Sequence, residues 1–308
     1  MSVKQTFYLD SVAKGERIRA VRHIPDGEAR ATLVIAHGMV EHVDRYDEFA
    51  ACLADRGILV MAGDHLGHGL TAKDADSLGY FAKNRDDAVL SDLCNIARTA
   101  KNDYPDLPHF LLGHSMGSFF TRRLIAEHPD VADGAIIMGT GHQSRALVLA
   151  GLTLARLIAL FCGERHRSKL IDSLAFGSYN RAFEPARTPY DWLSRDGAKV
   201  DEYIADPLCG GLFTLNAYIG MFRTISLLYS KRRLAQMRPD MPILFISGEA
   251  DPVGEAGVGV RRAHDSFARA GMRDLELKLY PDARHEILNE TNREQVCADI
   301  LEWLESKM

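Results

Sequence analysis

The chain has 308 residues, 46% of them hydrophobic, and its 37 lysines and arginines against 42 aspartates and glutamates give a net charge of −5. Such a chain can bury a large core as one domain, or as one domain carrying an insertion, and without a basic block it is no candidate for nucleic-acid binding. The cysteines Cys52, Cys94, Cys162, Cys209 and Cys297 are scattered, odd in number and without a Cys-x-x-Cys pair, and residues 1–30 have no apolar secretion segment; this predicts unpaired core thiols in a reducing, cytoplasmic setting.

Taken in order, 6–9 and 17–21 read as two strands around the Lys14-Gly15 turn, an opening hairpin. The apolar run 31–36 is a buried strand that leads straight into His37-Gly38-Met39-Val40-Glu41-His42. Residues 44–56 have helical periodicity, with Tyr46, Phe49, Ala50 and Leu53 on one face. The next strand, 58–62, ends at the glycine-rich stretch Gly63-Asp64-His65-Leu66-Gly67-His68-Gly69, and a helix over 86–102 follows. Phe110-Leu111-Leu112, bounded by Pro108 and Gly113, suits a short buried strand, after which come a helix over 118–126 and a strand over 135–138. Alternating helices and near-continuous apolar strands predict an α/β fold with a mostly parallel sheet covered on both faces.

From 140 to 238 the alternation stops and only helical stretches and loops remain; it resumes with a strand over 242–247, a helix near 257–271, a strand over 275–280 and a last helix near 292–307. This predicts a core made of 1–139 and 239–308 with a helical cap inserted over 140–238, placed to exclude water and shape a pocket.

The chemistry concentrates at Gly113-His114-Ser115-Met116-Gly117, between a predicted strand and a predicted helix. That context is what the Gly-x-Ser-x-Gly nucleophile elbow requires, because a serine on so tight a turn needs glycines where strand and helix approach. In this fold class the acid and the base follow the serine in that order. The 242–247 strand opens into Gly248-Glu249-Ala250-Asp251-Pro252, and the 275–280 strand into Pro281-Asp282-Ala283-Arg284-His285. Ser115, Asp251 and His285 are therefore the expected triad, with Glu249 as the competing acid; Pro252 stiffens the turn behind Asp251. An oxyanion needs backbone N–H donors, expected from Met116 and from Met39 in the loop after the third strand.

Together the stretches 37–46, 63–69 and 113–117 and the Asp251 and His285 loops resemble the monoacylglycerol lipase and lysophospholipase-like group of α/β-hydrolases, a serine-hydrolase family also labelled serine aminopeptidase-like; Asp206-Pro207-Leu208-Cys209 in the cap is similar too. The resemblance implies an α/β-hydrolase fold, a lipid-like ester substrate cleaved through an acyl-enzyme on Ser115, and no cofactor. It places Glu41 and Arg45 near the polar end of the substrate, with an ion pair at a helix start as the competing reading. Two departures stand out. Leu288 occupies the place of a second histidine near the glycerol head group in monoacylglycerol lipase, and His37-Gly38-Met39-Val40-Glu41 replaces the His-Gly-Gly-Pro-Gly usual in peptidases of the superfamily.

Amidase or aminopeptidase activity would need cap carboxylates for a free amine, which Asp191, Asp196, Asp201 and Glu202 could supply; thioester cleavage is a further alternative. His65 and His68 have His-x-x-His spacing on a glycine-rich loop without a third ligand, so no metal is expected there. The apolar run 146–161, interrupted by Arg156, is short for a membrane span. It is read as a buried cap helix, with transient contact at a lipid surface as the alternative.

Overall fold

A computed structural model describes residues 2–308. Eight strands, β1 (Val3–Asp10), β2 (Arg17–Ile24), β3 (Ala31–Ala36), β4 (Ile58–Gly63), β5 (His109–His114), β6 (Gly134–Met138), β7 (Ile243–Gly248) and β8 (Leu275–Tyr280), form one sheet in the order β1-β2-β4-β3-β5-β6-β7-β8. The β1–β2 hairpin is antiparallel and joins β4 antiparallel; every other neighbouring pair is parallel.

Strand periodicity explains the two layers around the sheet. Side chains alternate between faces, so Leu33 and Ile35 of β3 enter one apolar cluster while Val34 and Ala36 enter the other. Helices α1 (Asp47–Ala54) and α10 (Arg293–Ser306) cover the first face. The second is covered by α2 (Arg85–Asp103), α3 (Met116–Glu127) and α9 (Val258–Ala268). The expected α/β-hydrolase architecture is therefore present. Cys52 of α1 and Cys297 of α10 form a disulfide, which corrects the expectation of unpaired thiols for these two. They are 245 residues apart, a separation that hides the fact that their helices lie side by side on one face of the sheet. Cys94, Cys162 and Cys209 are free.

Between β6 and β7 run α4 (Arg145–Cys162), α5 (Lys169–Phe176), α6 (Gly197–Ala205), α7 (Leu215–Leu227) and α8 (Lys231–Leu234), with short 3₁₀ turns at Tyr179–Phe183 and Asp191–Leu193. Good N-caps start several of these helices: Ser144, Thr214 and Asp196 each accept a hydrogen bond from the first turn. The excursion has no apolar centre of its own, since Val148, Leu152, Phe213 and Tyr218 join the same cluster as the α2 and α3 side of the sheet.

The chain leaving β3 turns to β4 on one side of it, and the chain leaving the adjacent β5 turns to β6 on the other. Loops leaving the carboxyl ends of β3 and β5 therefore diverge, leaving the crevice in which open α/β sheets place their ligands.

Candidate active site

Ser115 stands between β5 and α3 with φ 52° and ψ −118°, a strained conformation for a residue with a Cβ. The strain is over-determined: Ser115 N–H donates to the Met138 carbonyl at 3.0 Å, and Ser118 Oγ donates to the Ser115 carbonyl at 2.6 Å. Gly117 lets α3 reach the end of β3, where any Cβ would run into the Ala36 carbonyl. Gly38 plays the matching part on the other loop, since a Cβ there would lie 3.2 Å from Ser115 Cβ and 2.5 Å from Glu41 Oε1. Met39 follows directly and Met116 opens α3, so the two expected amide donors flank this close approach.

Asp251 and His285 leave β7 and β8, which are adjacent in the sheet, and so emerge together. His285 Nδ1 lies 3.0 Å from each Asp251 carboxylate oxygen. Asp251 is fully buried, and it also accepts from Val253 N–H at 2.8 Å and from Ser247 Oγ at 3.1 Å. Glu249, the competing acid, is exposed on the same loop. Burial pulls the His285 pKa down, but the Asp251 charge and hydrogen bond outweigh it and hold the ring above its ordinary value. The ring also packs against two others, with the His114 centroid at 4.8 Å and the Trp192 centroid at 5.1 Å.

Glu41 is buried beneath the loop that carries Met39. Its Oε1 accepts from Gly38 N–H at 2.5 Å and Tyr46 Oη at 2.8 Å and lies 3.1 Å from His114 Nδ1, while Oε2 accepts from Arg45 at 2.9 Å. Burial alone would raise the Glu41 pKa; the His114 hydrogen bond and the Arg45 charge win and hold it well below the carboxylate range. Arg45 also forms a bidentate pair with Glu286, both contacts at 2.6 Å, and its guanidinium stands 4.8 Å over the Tyr203 ring. Glu41 borders the cavity described next, and Arg45 is clamped behind it. His37, His65 and His68 pack ring on ring below this layer, and burial holds the His65 pKa down to about 3 and the His68 pKa down to about 4.

Ser115 and His285 open into a cavity of about 670 Å³. Its cap side is mostly apolar, with Val148, Gly151 and Leu154 of α4 and Ile171, Leu174 and Ala175 of α5, and carries one carboxylate, Asp172. Only Val148, Leu152 and Ala155 of the eighteen residues of α4 are buried, which corrects the expectation of a buried helix. Its first turns line the cavity through Leu147, Val148, Gly151 and Leu154, whereas Leu157, Leu160 and Phe161 in its last turns are exposed. By length and composition α4 could cross a membrane. The four cap carboxylates do not converge on the cavity: Asp201 pairs with Arg187 at 2.7 Å, Glu202 with Lys199 at 3.2 Å and Asp196 with Arg293 at 3.1 Å, while Asp191 accepts from Arg187 N–H at 2.6 Å.

Sequence reasoning passed over His114, Tyr46, Glu286 and Trp192. The first two lie within stretches already singled out and Glu286 directly follows His285, but nothing local in sequence places Trp192 beside His285. The link is tertiary: His285 N–H donates to the Trp192 carbonyl at 3.4 Å and Glu286 N–H to the Leu193 carbonyl at 2.8 Å.

The chain is 28% identical to mouse monoglyceride lipase over 274 residues, covering 86% of this chain and 78% of the relative. It is 28% identical to the monoacylglycerol lipase of Mycolicibacterium smegmatis over 293 residues, covering 92% and 91%. Among solved structures, a thermostable carboxyl esterase from Bacillus coagulans superposes with a TM-score of 0.92 at 25% identity, covering 99% of each chain. A profile of the hydrolase family described as serine aminopeptidase, S33, matches residues 27–292, and the chain belongs to that family.

Proposed function

We propose that the protein is a serine hydrolase that cleaves carboxylic esters of lipid-like acids, of monoacylglycerol or lysophospholipid type. The observation that carries this reading is the Asp251–His285 pair and the strained Ser115 elbow, with Ser115 and His285 lining a cavity whose cap side is mostly apolar. His285 Nδ1 is held by Asp251, which leaves Nε2 to take the Ser115 proton as Oγ attacks the ester carbonyl. The tetrahedral oxyanion is held by the Met39 and Met116 N–H groups. His285 then returns the proton to the departing alcohol, and water, deprotonated by the same ring, releases the acid from Ser115.

Glu41 and Arg45 brace this machinery instead of contacting the alcohol. Glu41 holds Gly38 N–H, Tyr46 and His114, and Arg45 is occupied on both sides by carboxylates. The relatives' names favour glycerol monoesters, and Leu288 in place of a histidine argues for looser discrimination among alcohol groups. The amide reading has lost its four cap carboxylates to partners elsewhere; Asp172, which accepts from Tyr218 Oη at 2.7 Å, is the cap carboxylate on the cavity wall. The core of 1–139 and 239–308 with a cap over 140–238 gives this division of labour: chemistry from the sheet edge, acyl recognition from the excursion.

The exposed apolar last turns of α4 suit brief contact with a lipid surface from which substrate is drawn. Cytoplasmic residence is favoured by three free thiols and opposed by the Cys52–Cys297 pair; trapping free thiols in cell lysate decides it. The chemical test is labelling with a fluorophosphonate probe followed by peptide mapping. Label on Ser115, absent in Ser115→Ala, supports the assignment, and label on another serine overturns it.

A further inference from the structure

Beyond the cavity, one group of histidine, cysteine and acidic side chains among the described residues is close enough to hold a metal ion. His42, Asp206 and Cys209 each offer a donor atom, all within 4.8 Å of one another. His42 is buried in the loop that follows Gly38 and Met39, whereas Asp206 ends α6 and Cys209 follows three residues later. The two segments already meet, since Gly210 N–H donates to the Val40 carbonyl at 3.1 Å and Tyr203 Oη reaches the same carbonyl at 3.3 Å.

We infer that His42, Asp206 and Cys209 form a binding site for a borderline divalent cation such as Zn²⁺, which ties the oxyanion loop to the cap. The donor set of imidazole, carboxylate and thiolate is one zinc accepts, with solvent as a fourth ligand. Tetrahedral ligation places such donors roughly 3.4–3.6 Å apart, so the present set needs side-chain shifts of little more than about an ångström.

A second observation comes from the far side of the ring. His42 Nε2 lies 2.7 Å from Asp206 Oδ2, whereas Nδ1 is buried with no hydrogen-bond partner. Asp44 Oδ2 stands 3.7 Å from that nitrogen, fixed by Arg19, which donates to both Asp44 oxygens at 2.8 Å, and by Lys4 at 2.6 Å. Metal-bound histidines characteristically turn their other ring N–H toward a carboxylate held in this way. With the ion on Nε2, the ring is neutral and its remaining N–H faces Asp44. The ion displaces the proton between His42 and Asp206 and the Cys209 thiol proton, and both go to solvent. Asp206 and Cys209 are partly exposed, so an ion can enter from outside without crossing the substrate cavity.

The test uses the whole chain carrying Cys162→Ser, so that the exposed thiol contributes nothing. Titration with Co²⁺ should give a thiolate-to-metal charge-transfer absorption saturating at one equivalent and bleached by Zn²⁺. Adding Cys209→Ser should abolish the absorption, and adding Asp206→Asn should weaken Zn²⁺ binding about tenfold or more by calorimetry. Zn²⁺ should raise Tm in the parent but not in the Cys209→Ser protein. Hydrolysis of a soluble ester by both variants, unchanged in metal-free buffer, shows that they fold. No charge-transfer absorption in the parent, or equal Zn²⁺ affinity in all three proteins, overturns the proposal without touching the hydrolase reading.

Discussion

In β5, Phe110, Leu111 and Leu112 are all buried, their side chains divided between the two faces of the sheet. In α4 a longer and equally apolar run has only three buried residues, and Leu160 and Phe161 are 77% and 84% exposed. Both runs look like core in sequence, but they answer to different partners. A central strand of a parallel sheet has helices packed over both faces by its crossover connections, so its side chains are covered on either side. A helix satisfies its own backbone, and α4 is free to divide its apolar surface between the cavity and the outside. In the proposed function, the sheet edge supplies the triad and the excursion supplies acyl recognition.

The largest expected effects fall on the sheet edge. Ser115→Ala and His285→Ala should each lower kcat by about 10⁴-fold or more, and Asp251→Ala somewhat less, with the fold intact by circular dichroism. Glu249→Ala, on the same loop, should stay within about twofold, as expected of a solvated side chain; a greater loss than for Asp251→Ala would transfer the acid role to Glu249.

Glu41→Gln removes a buried charge on which Gly38 N–H, His114 and Arg45 all depend. It should cost about 3 kcal/mol of stability in denaturant unfolding and lower kcat roughly tenfold to a hundredfold with KM little changed, through a misplaced oxyanion loop. A large rise in KM with kcat preserved would return Glu41 to the alcohol subsite.

On the exposed region, replacing Leu157, Leu160 and Phe161 together by serine should leave hydrolysis of a soluble ester unchanged. Turnover of a monoacyl ester held in vesicles should fall several-fold, because the buried apolar area drives surface binding. Equal loss on both substrates would mean that these three residues support the cavity instead.

The smallest effect concerns pH. His285 must be neutral to act as base, and its Asp251 partner raises its pKa, so kcat/KM should fall on acidification through an apparent pKa above the ordinary value of about 6.5. A profile flat across that range would contradict a histidine base.

Most of the sheet was legible because buried strands leave contiguous apolar runs, and β8 spans the same 275–280 stretch that sequence alternation marks. The elbow was legible because its steric demands fall on residues that are neighbours in sequence. The packing of His285 against His114 and Trp192 was not, since the three rings come from the loop after β8, β5 and a 3₁₀ turn in the excursion. The Cys52–Cys297 pair was hidden in the same way. Glu41 and Arg45 were visible as an i,i+4 ion pair, but the pattern could not show that Glu286, arriving from the far end of the chain, occupies the other side of Arg45.

The central claim is that the triad at the sheet edge acts on esters whose acyl chains fill the cavity beneath α4. Its most direct test is kcat/KM for p-nitrophenyl esters of increasing chain length, measured beside the matching monoacylglycerols and aminoacyl amides. Each methylene buried contributes up to about 0.8 kcal/mol, so kcat/KM should climb several-fold for every one or two added until the 670 Å³ cavity is full, then fall, with esters ahead of amides throughout. A preference for acetate over every longer chain, or faster cleavage of an aminoacyl amide than of any ester, would contradict it.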